Sequence, residues 1–267
     1  MSGKVYLVGA GPGAADLLTL RAAAALRAAQ VVLHDDLVPP EILDLCTASA
    51  QLINVGKRCG RRGRSQEQIN ALMVWYARET QAQTIVRLKS GDPAVFGRLG
   101  EELDALRRAG VEFEIVPGVT AASAAAASAK ITLTDRRAAS ALVVVTAHNC
   151  RNESLSETVE PARCTYALYM PGPDYSKTVQ GLFESGLEPT TPCAVVSNAG
   201  RANEEVRYLT LGELASAKRI SAPAMLIVGE VAREHTPLRR EDLLSEISRE
   251  ARNPYCQDGF PIQPSVS

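Results

Sequence analysis

Four short segments of this 267-residue chain place glycine, proline and acidic residues where apolar runs end. The first is Gly9-Ala10-Gly11-Pro12-Gly13, with Asp35 and Asp36 following roughly twenty residues after the loop. A glycine loop that leaves a strand and opens a helix, with such an acid downstream, is a dinucleotide pattern. Backbone N–H groups and the helix N-terminus hold a pyrophosphate, and the acid holds a ribose. Pro12 weakens that match, because proline has no N–H to offer. The helical period also starts late, near Asp16, a good N-cap residue ahead of Leu17, Leu18 and Leu20. Gly9-x-Gly11-x-x-Ala14 is therefore weak evidence for a nicotinamide site. The other three segments are "VVLHDDLV", "IVRLKSGDPAVFGRLGEE" and "EIVPGVTAAS". Loops at the carboxyl ends of parallel strands converge on one crevice, so the four segments together predict a single ligand pocket.

The elements that must position those loops follow from alternating periods. Short apolar runs at 5–9, 31–35, 84–89 and 113–117 alternate with helical patterns near 17–29, 66–79 and 99–109, which predicts an α/β unit with a largely parallel sheet. The pattern resumes with strands at 141–148, 164–170, 192–198, 206–211 and 224–231 and a helix near 175–185. Between the two halves, "TAASAAAASA" (120–129) follows Pro117-Gly118 and predicts a tightly packed helix. The expected organisation is two α/β domains, 1–118 and 119–235, and an irregular Pro-, Gly- and Ser-containing tail over 236–267.

Bulk properties exclude several classes. The chain is 46% hydrophobic and 22% charged, with net charge −1 and pI near 6.3, so it can bury a core and has no overall field favouring nucleic acid or an anionic membrane. No apolar run reaches the roughly 18–20 residues of a membrane helix. The six cysteines, among them Cys46, Cys59, Cys164, Cys193 and Cys256, form no C-x-x-C pair. With no export signal at the N-terminus, reduced thiols and a cytoplasmic protein are expected. His34, His148 and His235 are scattered, and His148-x-Cys150 has no second ligand pair, so no metal site is expected.

Taken along the chain, "YLVGAGPGAADLLTLRAA", "DLVPPEIL", "VGKRCG", "IVRLKSGDPAVFGR", "FEIVPGVTAASAAAA", "LTDRRAAS", "VTAH", "YALYMPG", "AVVSNAG" and "PAMLIVGEV" resemble the tetrapyrrole methylase family, the class III methyltransferases that use S-adenosylmethionine. The resemblance runs in order from about residue 5 to 232. It implies two α/β domains with the active site in the cleft between them, a homodimer, and release of S-adenosylhomocysteine as coproduct. It places Pro12, Ser90, Gly91, Asp92, Val95, Thr120, Ala121, Met170, Ala199 and Ala224 at the methyl donor, with Asp92 accepting from a donor hydroxyl or facing its positive charge. It aligns Asp35 with a proposed catalytic base and Lys57 with a proposed acid. Within the family the motifs sit nearest members that methylate uroporphyrinogen III at ring carbons 2 and 7, giving precorrin-2 for siroheme or cobalamin.

That acceptor carries eight carboxylates, which guanidinium groups grip with paired, charge-assisted hydrogen bonds. Arg98 and Arg136 match family positions that bind it, Arg98, Glu101 and Arg136 are the expected acceptor contacts, and "KRCGRRGR" adds Lys57, Arg58, Arg61, Arg62 and Arg64. Departures from the family pattern cluster at the acceptor side: Ser90, Ala94, Leu99, His34, Asp36, Lys130, Asp135 and Pro171. A leucine where glycine is usual fills space, and Asp36 in place of arginine removes a carboxylate partner. Two acceptors therefore stay open: an anionic tetrapyrrole, or a different, smaller electron-rich molecule methylated by a paralogue. A nicotinamide-binding oxidoreductase or a non-catalytic nucleotide-binding module is the reading from a different class.

Overall fold

A computed structural model describes residues 3–56, 64–147, 160–172, 174–218 and 220–233. In the first half, β1 (Lys4–Gly9), β2 (Val31–His34), β3 (Gln51–Asn54), β4 (Thr84–Lys89) and β5 (Phe113–Val116) form a parallel sheet in the order β3-β2-β4-β1-β5. The central strands are covered on both faces, which is why they read as near-continuous apolar runs. On one face Leu7, Leu33 and Ile85 pack with Ile69 and Met73 of α3 (Gln66–Glu79) and Leu106 of α4 (Leu99–Arg108). On the other, Val8, Val32 and Leu88 pack with Ala22 and Leu26 of α1 (Leu20–Ala28) and with Ile42 of the short α2 (Pro40–Leu43). The register sets Gly9 beside Lys89 and His34 beside Leu88. The glycine loop, Asp35 and Ser90 therefore leave the sheet at the same edge.

The helix expected near 17–29 starts later than its leucine spacing suggests. Ala15–Leu17 make one 3-10 turn, Leu18 and Thr19 are extended, and α1 begins at Leu20. Thr19, not Asp16, is the cap, because its hydroxyl accepts from Ala22 N at 3.1 Å and donates to Pro117 O at 3.3 Å. The four-residue β3 and α2 were not anticipated, being too short to show a period.

The second sheet has the order β6-β7-β10-β8-β9, built from β6 (Ala141–Thr146), β7 (Cys164–Tyr169), β8 (Pro192–Ser197), β9 (Glu205–Thr210) and β10 (Ala224–Val228). Only β6 and β7 are parallel; the other three pairings are antiparallel. The alanine-rich segment is α5 (Ala121–Ser128), whose Ala122, Ala125 and Ala126 lie against Ala167, Val196 and Ile227. Small side chains there let the helix approach the sheet closely. α6 (Tyr175–Glu184) and α7 (Leu211–Leu214) cover the opposite face through Val179, Leu182, Leu211 and Leu214. Among the described residues no helix is long and apolar enough to cross a membrane.

Candidate active site

Three loops cross at the carboxyl edge of the first sheet, and glycine makes the crossing possible. A Cβ on Gly9 would lie 2.6 Å from Gly118 N, and one on Gly118 would lie 2.4 Å from Gly91 O. Gly11 and Gly91, both left-handed, exchange backbone hydrogen bonds of 3.2 and 2.8 Å. Asp92 closes the crossing: one carboxylate oxygen accepts from Gly118 N at 3.0 Å, the other from Ala94 N at 2.8 Å.

Beside this crossing lies a cavity of about 390 Å³, within the ordinary range for a small-molecule site. Pro12, Asp35, Ser90, Gly91, Asp92 and Val95 line it from the first half, and Thr120, Ala121, Met170, Ala199 and Ala224 from the α5 start and the second sheet. All ten positions that the resemblance puts at a methyl donor, and Asp35, thus border one space. The walls also include residues that sequence reasoning missed: Phe96, Tyr169, Arg201 and Met225. Phe96 meets the Tyr169 ring edge-on at 5.0 Å, and the Tyr169 hydroxyl accepts from Ala122 N at 3.2 Å while pairing with the Thr120 hydroxyl. Phe96 and Met170 hold left-handed backbones, φ 52° each, and both are about half exposed. Strained non-glycine residues of this kind gather at functional sites.

Beneath Asp35 lies a buried charge network. The Arg87 guanidinium, 3% exposed, donates to Asp35 Oδ1 at 2.5 Å, to Glu102 Oε1 at 3.0 Å, and to the carbonyls of Leu33 and Leu88 at 3.3 and 3.0 Å. Lys89 Nζ and Gln66 Nε2 also donate to Glu102 Oε1, at 2.8 and 3.3 Å. Ser90 N reaches the second Asp35 oxygen at 3.3 Å. Burial opposes the charge on Arg87, but Asp35 and Glu102 outweigh it and raise its pKa. Lys89 is held below the usual lysine range, first by burial and then by the Arg87 charge. The signal for this network was present in "TIVRLK", where two cations two residues apart point to one face of a buried strand.

The expected acceptor residues lie elsewhere. Arg98 grips Glu101 through two hydrogen bonds of 2.7 Å, both side chains are about half exposed, and neither lines the cavity. Arg136 is exposed and outside the lining, while neighbouring Arg137 pairs with Asp135 at 2.8 Å. Lys57, Arg58, Arg61 and Arg62, with His148, Cys150 and His235, fall outside the described residues. Arg64 donates to Asn54 O at 2.7 Å, and His34 Nδ1 contacts Asp35 O at 3.0 Å. Among the described residues no cluster could hold a metal ion.

Compared with known proteins, residues 4–215 match the family described as Tetrapyrrole (Corrin/Porphyrin) Methylases. The chain is 44% identical over 238 residues to a uroporphyrinogen-III C-methyltransferase of Pseudomonas aeruginosa, covering 88% of this chain and 96% of that one. It is equally identical over 237 residues to siroheme synthase 2 of Yersinia pestis, and it spans about half the length of such siroheme synthases (50%). Among solved structures, it is similar to the uroporphyrin-III C-methyl transferase of Thermus thermophilus complexed with S-adenyl homocysteine. That match has a TM-score of 0.71 and 37% identity, covering 86% of this chain and 98% of that one. A cobalt precorrin-4 methyltransferase of cobalamin biosynthesis follows, with TM-score 0.73, 30% identity, and coverage of 86% and 96%. A profile match over most of the chain, relatives at this identity and the same two-sheet architecture agree, and the chain belongs to the tetrapyrrole (corrin/porphyrin) methylases.

Proposed function

We propose that this chain is an S-adenosylmethionine-dependent C-methyltransferase acting on uroporphyrinogen III to make precorrin-2. The observation that carries the reading is the convergence of ten donor-type positions and Asp35 on one cavity. The residues fit the donor: backbone edges and apolar walls suit a folded nucleoside, and carboxylates suit a ligand carrying positive charge. When bound, the donor supplies an electrophilic methyl group. Transfer of that methyl to a ring carbon would leave a neutral thioether, and because the ring β-carbons of uroporphyrinogen each carry an acidic side chain and no hydrogen, the balancing proton would leave another atom of the macrocycle, such as a pyrrole N–H. The protein's part is to bind, align the ring carbon about 3–3.5 Å from the methyl, and manage that proton. Asp35, oriented by Arg87 and Ser90 N, is the base in this reading, and Lys57 the acid. Domain boundaries at 118 and 235, a homodimer and a cytoplasmic location belong to the same proposal. So do Arg98, Glu101 and Arg136 as acceptor contacts, the two arginines facing its carboxylates.

One observation favours the paralogue with a different acceptor: the Arg98 fork is already filled by Glu101, so an acceptor carboxylate must displace it. Calorimetry with S-adenosylhomocysteine and NAD, then anaerobic incubation with labelled donor and uroporphyrinogen III read by mass, separates the readings. Thioether binding with one or two added methyls is expected. Thioether binding without macrocycle product points to the paralogue, and tight NAD binding without the thioether overturns the donor.

A further inference from the structure

We infer that Arg201 is the carboxylate-binding residue of this cavity, an inference that rests on the reading just given. Asp35, Asp36 and Asp92 line the space, and Arg201 is the only cation among the described lining residues. It comes from the loop after β8, in the second half, yet it reaches across to the first. Its Nε and Nη2 donate to Pro12 O at 3.1 and 3.0 Å, and Nη2 also donates to Leu37 O at 3.1 Å. These bonds fix the plane of the guanidinium over the glycine loop. Gly13 leaves the room: a Cβ there would lie 2.3 Å from Arg201 Nε.

Carbonyls satisfy these N–H groups without neutralising the charge. Among the described residues, Nη1 has no protein partner and no carboxylate lies within salt-bridge distance. Glu41 attracts the group only from farther away, while burial lowers its pKa. A half-buried guanidinium, already oriented and still lacking a counterion, is a preorganised half of a charge-assisted pair. The ligand chemistry it fits is a carboxylate, supplied either by the amino-acid end of the methyl donor or by an acidic arm of the acceptor. A donor with a sulfonium, an ammonium and one carboxylate complements a wall of several acids and one guanidinium.

The test compares wild-type protein with Arg201→Gln using three probes: S-adenosylhomocysteine, 5′-methylthioadenosine, which lacks the amino-acid end, and uroporphyrinogen III under anaerobic turnover. If the donor supplies the carboxylate, S-adenosylhomocysteine weakens roughly 10–100-fold while methylthioadenosine stays within about twofold. If the acceptor supplies it, donor binding is unchanged and acceptor KM rises at least about tenfold with kcat nearly constant. Equal weakening of both adenosine ligands makes Arg201 a loop latch only and overturns the inference, as does no change in any probe. Arg201→Lys keeps the charge and serves if the glutamine variant fails to fold. It should show the same selective pattern in smaller degree, and equal weakening counts against the inference there too. Wild-type protein that binds neither adenosine ligand removes the underlying donor reading, and this inference with it.

Discussion

Asp35 borders the cavity with about 30% of its side chain exposed, and its partners hold both oxygens from behind. The orientation originates in β4: Arg87 faces the α4 side of the sheet, where Glu102, fully buried, receives it together with Lys89 and Gln66. Removing one member of such a network leaves a charge without its counterion, which costs more than the pair contributes. Asp35→Asn keeps the shape and removes the charge opposite Arg87. It should lower stability by about 1–3 kcal/mol, discounted because Asp35 is partly solvated. Turnover should fall at least roughly 100-fold, while S-adenosylhomocysteine affinity stays within about twofold. Denaturant melts, methyl-transfer rates and calorimetry check the three parts, and unchanged turnover would refute the role of Asp35 as base.

At the scale of elements, the site depends on how closely three strand-end loops cross. Gly118 joins β5 to α5, and its hydrogen lies where a methyl group would meet Gly91 O at 2.4 Å and Gly9 Cα at 2.9 Å. Both obstacles are backbone, so neither can rotate away. Gly118→Ala should therefore part the loops, lowering stability by about 1–3 kcal/mol and weakening S-adenosylhomocysteine measurably in calorimetry. Wild-type affinity in that variant would mean that the crossing does not shape the donor site. α3, by contrast, is set by local chemistry: Ser65 and Gln68 form a reciprocal capping box at its start. The crossing and the capping box show two ways that an element is positioned, one by close approach and one by satisfied N–H groups.

Over the whole molecule, two five-stranded sheets each bury apolar layers on both faces, and both enclose ionisable groups, Arg87, Lys89 and Glu102 at the first and Cys193 at the second. Cys193 of β8 is fully buried, and burial, with a smaller contribution from Glu213, pushes its thiol from 9.0 to about 12. A raised pKa means that the folded state holds the proton more tightly than the unfolded chain. This contribution to stability is complete below pH 9 and is lost as pH rises toward 12. Cys193→Ala should remove a slope of at most about 1.4 kcal/mol per pH unit across that window, seen as a shallower decline in denaturant-derived stability. Parallel declines in the two proteins would show that burial at β8 does not hold the proton.

Local patterns were enough to place most of the strands, the helices at 66–79 and 99–109, the packed alanine helix and the four loop segments, because burial on a strand or helix face imprints a period on adjacent residues. The motif series along the chain likewise pointed to the family and to the residues around the cavity. Tertiary structure alone decided the β3-β2-β4-β1-β5 order, the antiparallel pairings of the second sheet, and the cap at Thr19. It alone brought Glu102 to Arg87 and Arg201 to Pro12, the latter pair 189 residues apart. A period reports which face is buried, not which distant partner buries it; strand pairing and the meeting of charges depend on contacts that no adjacent residues encode.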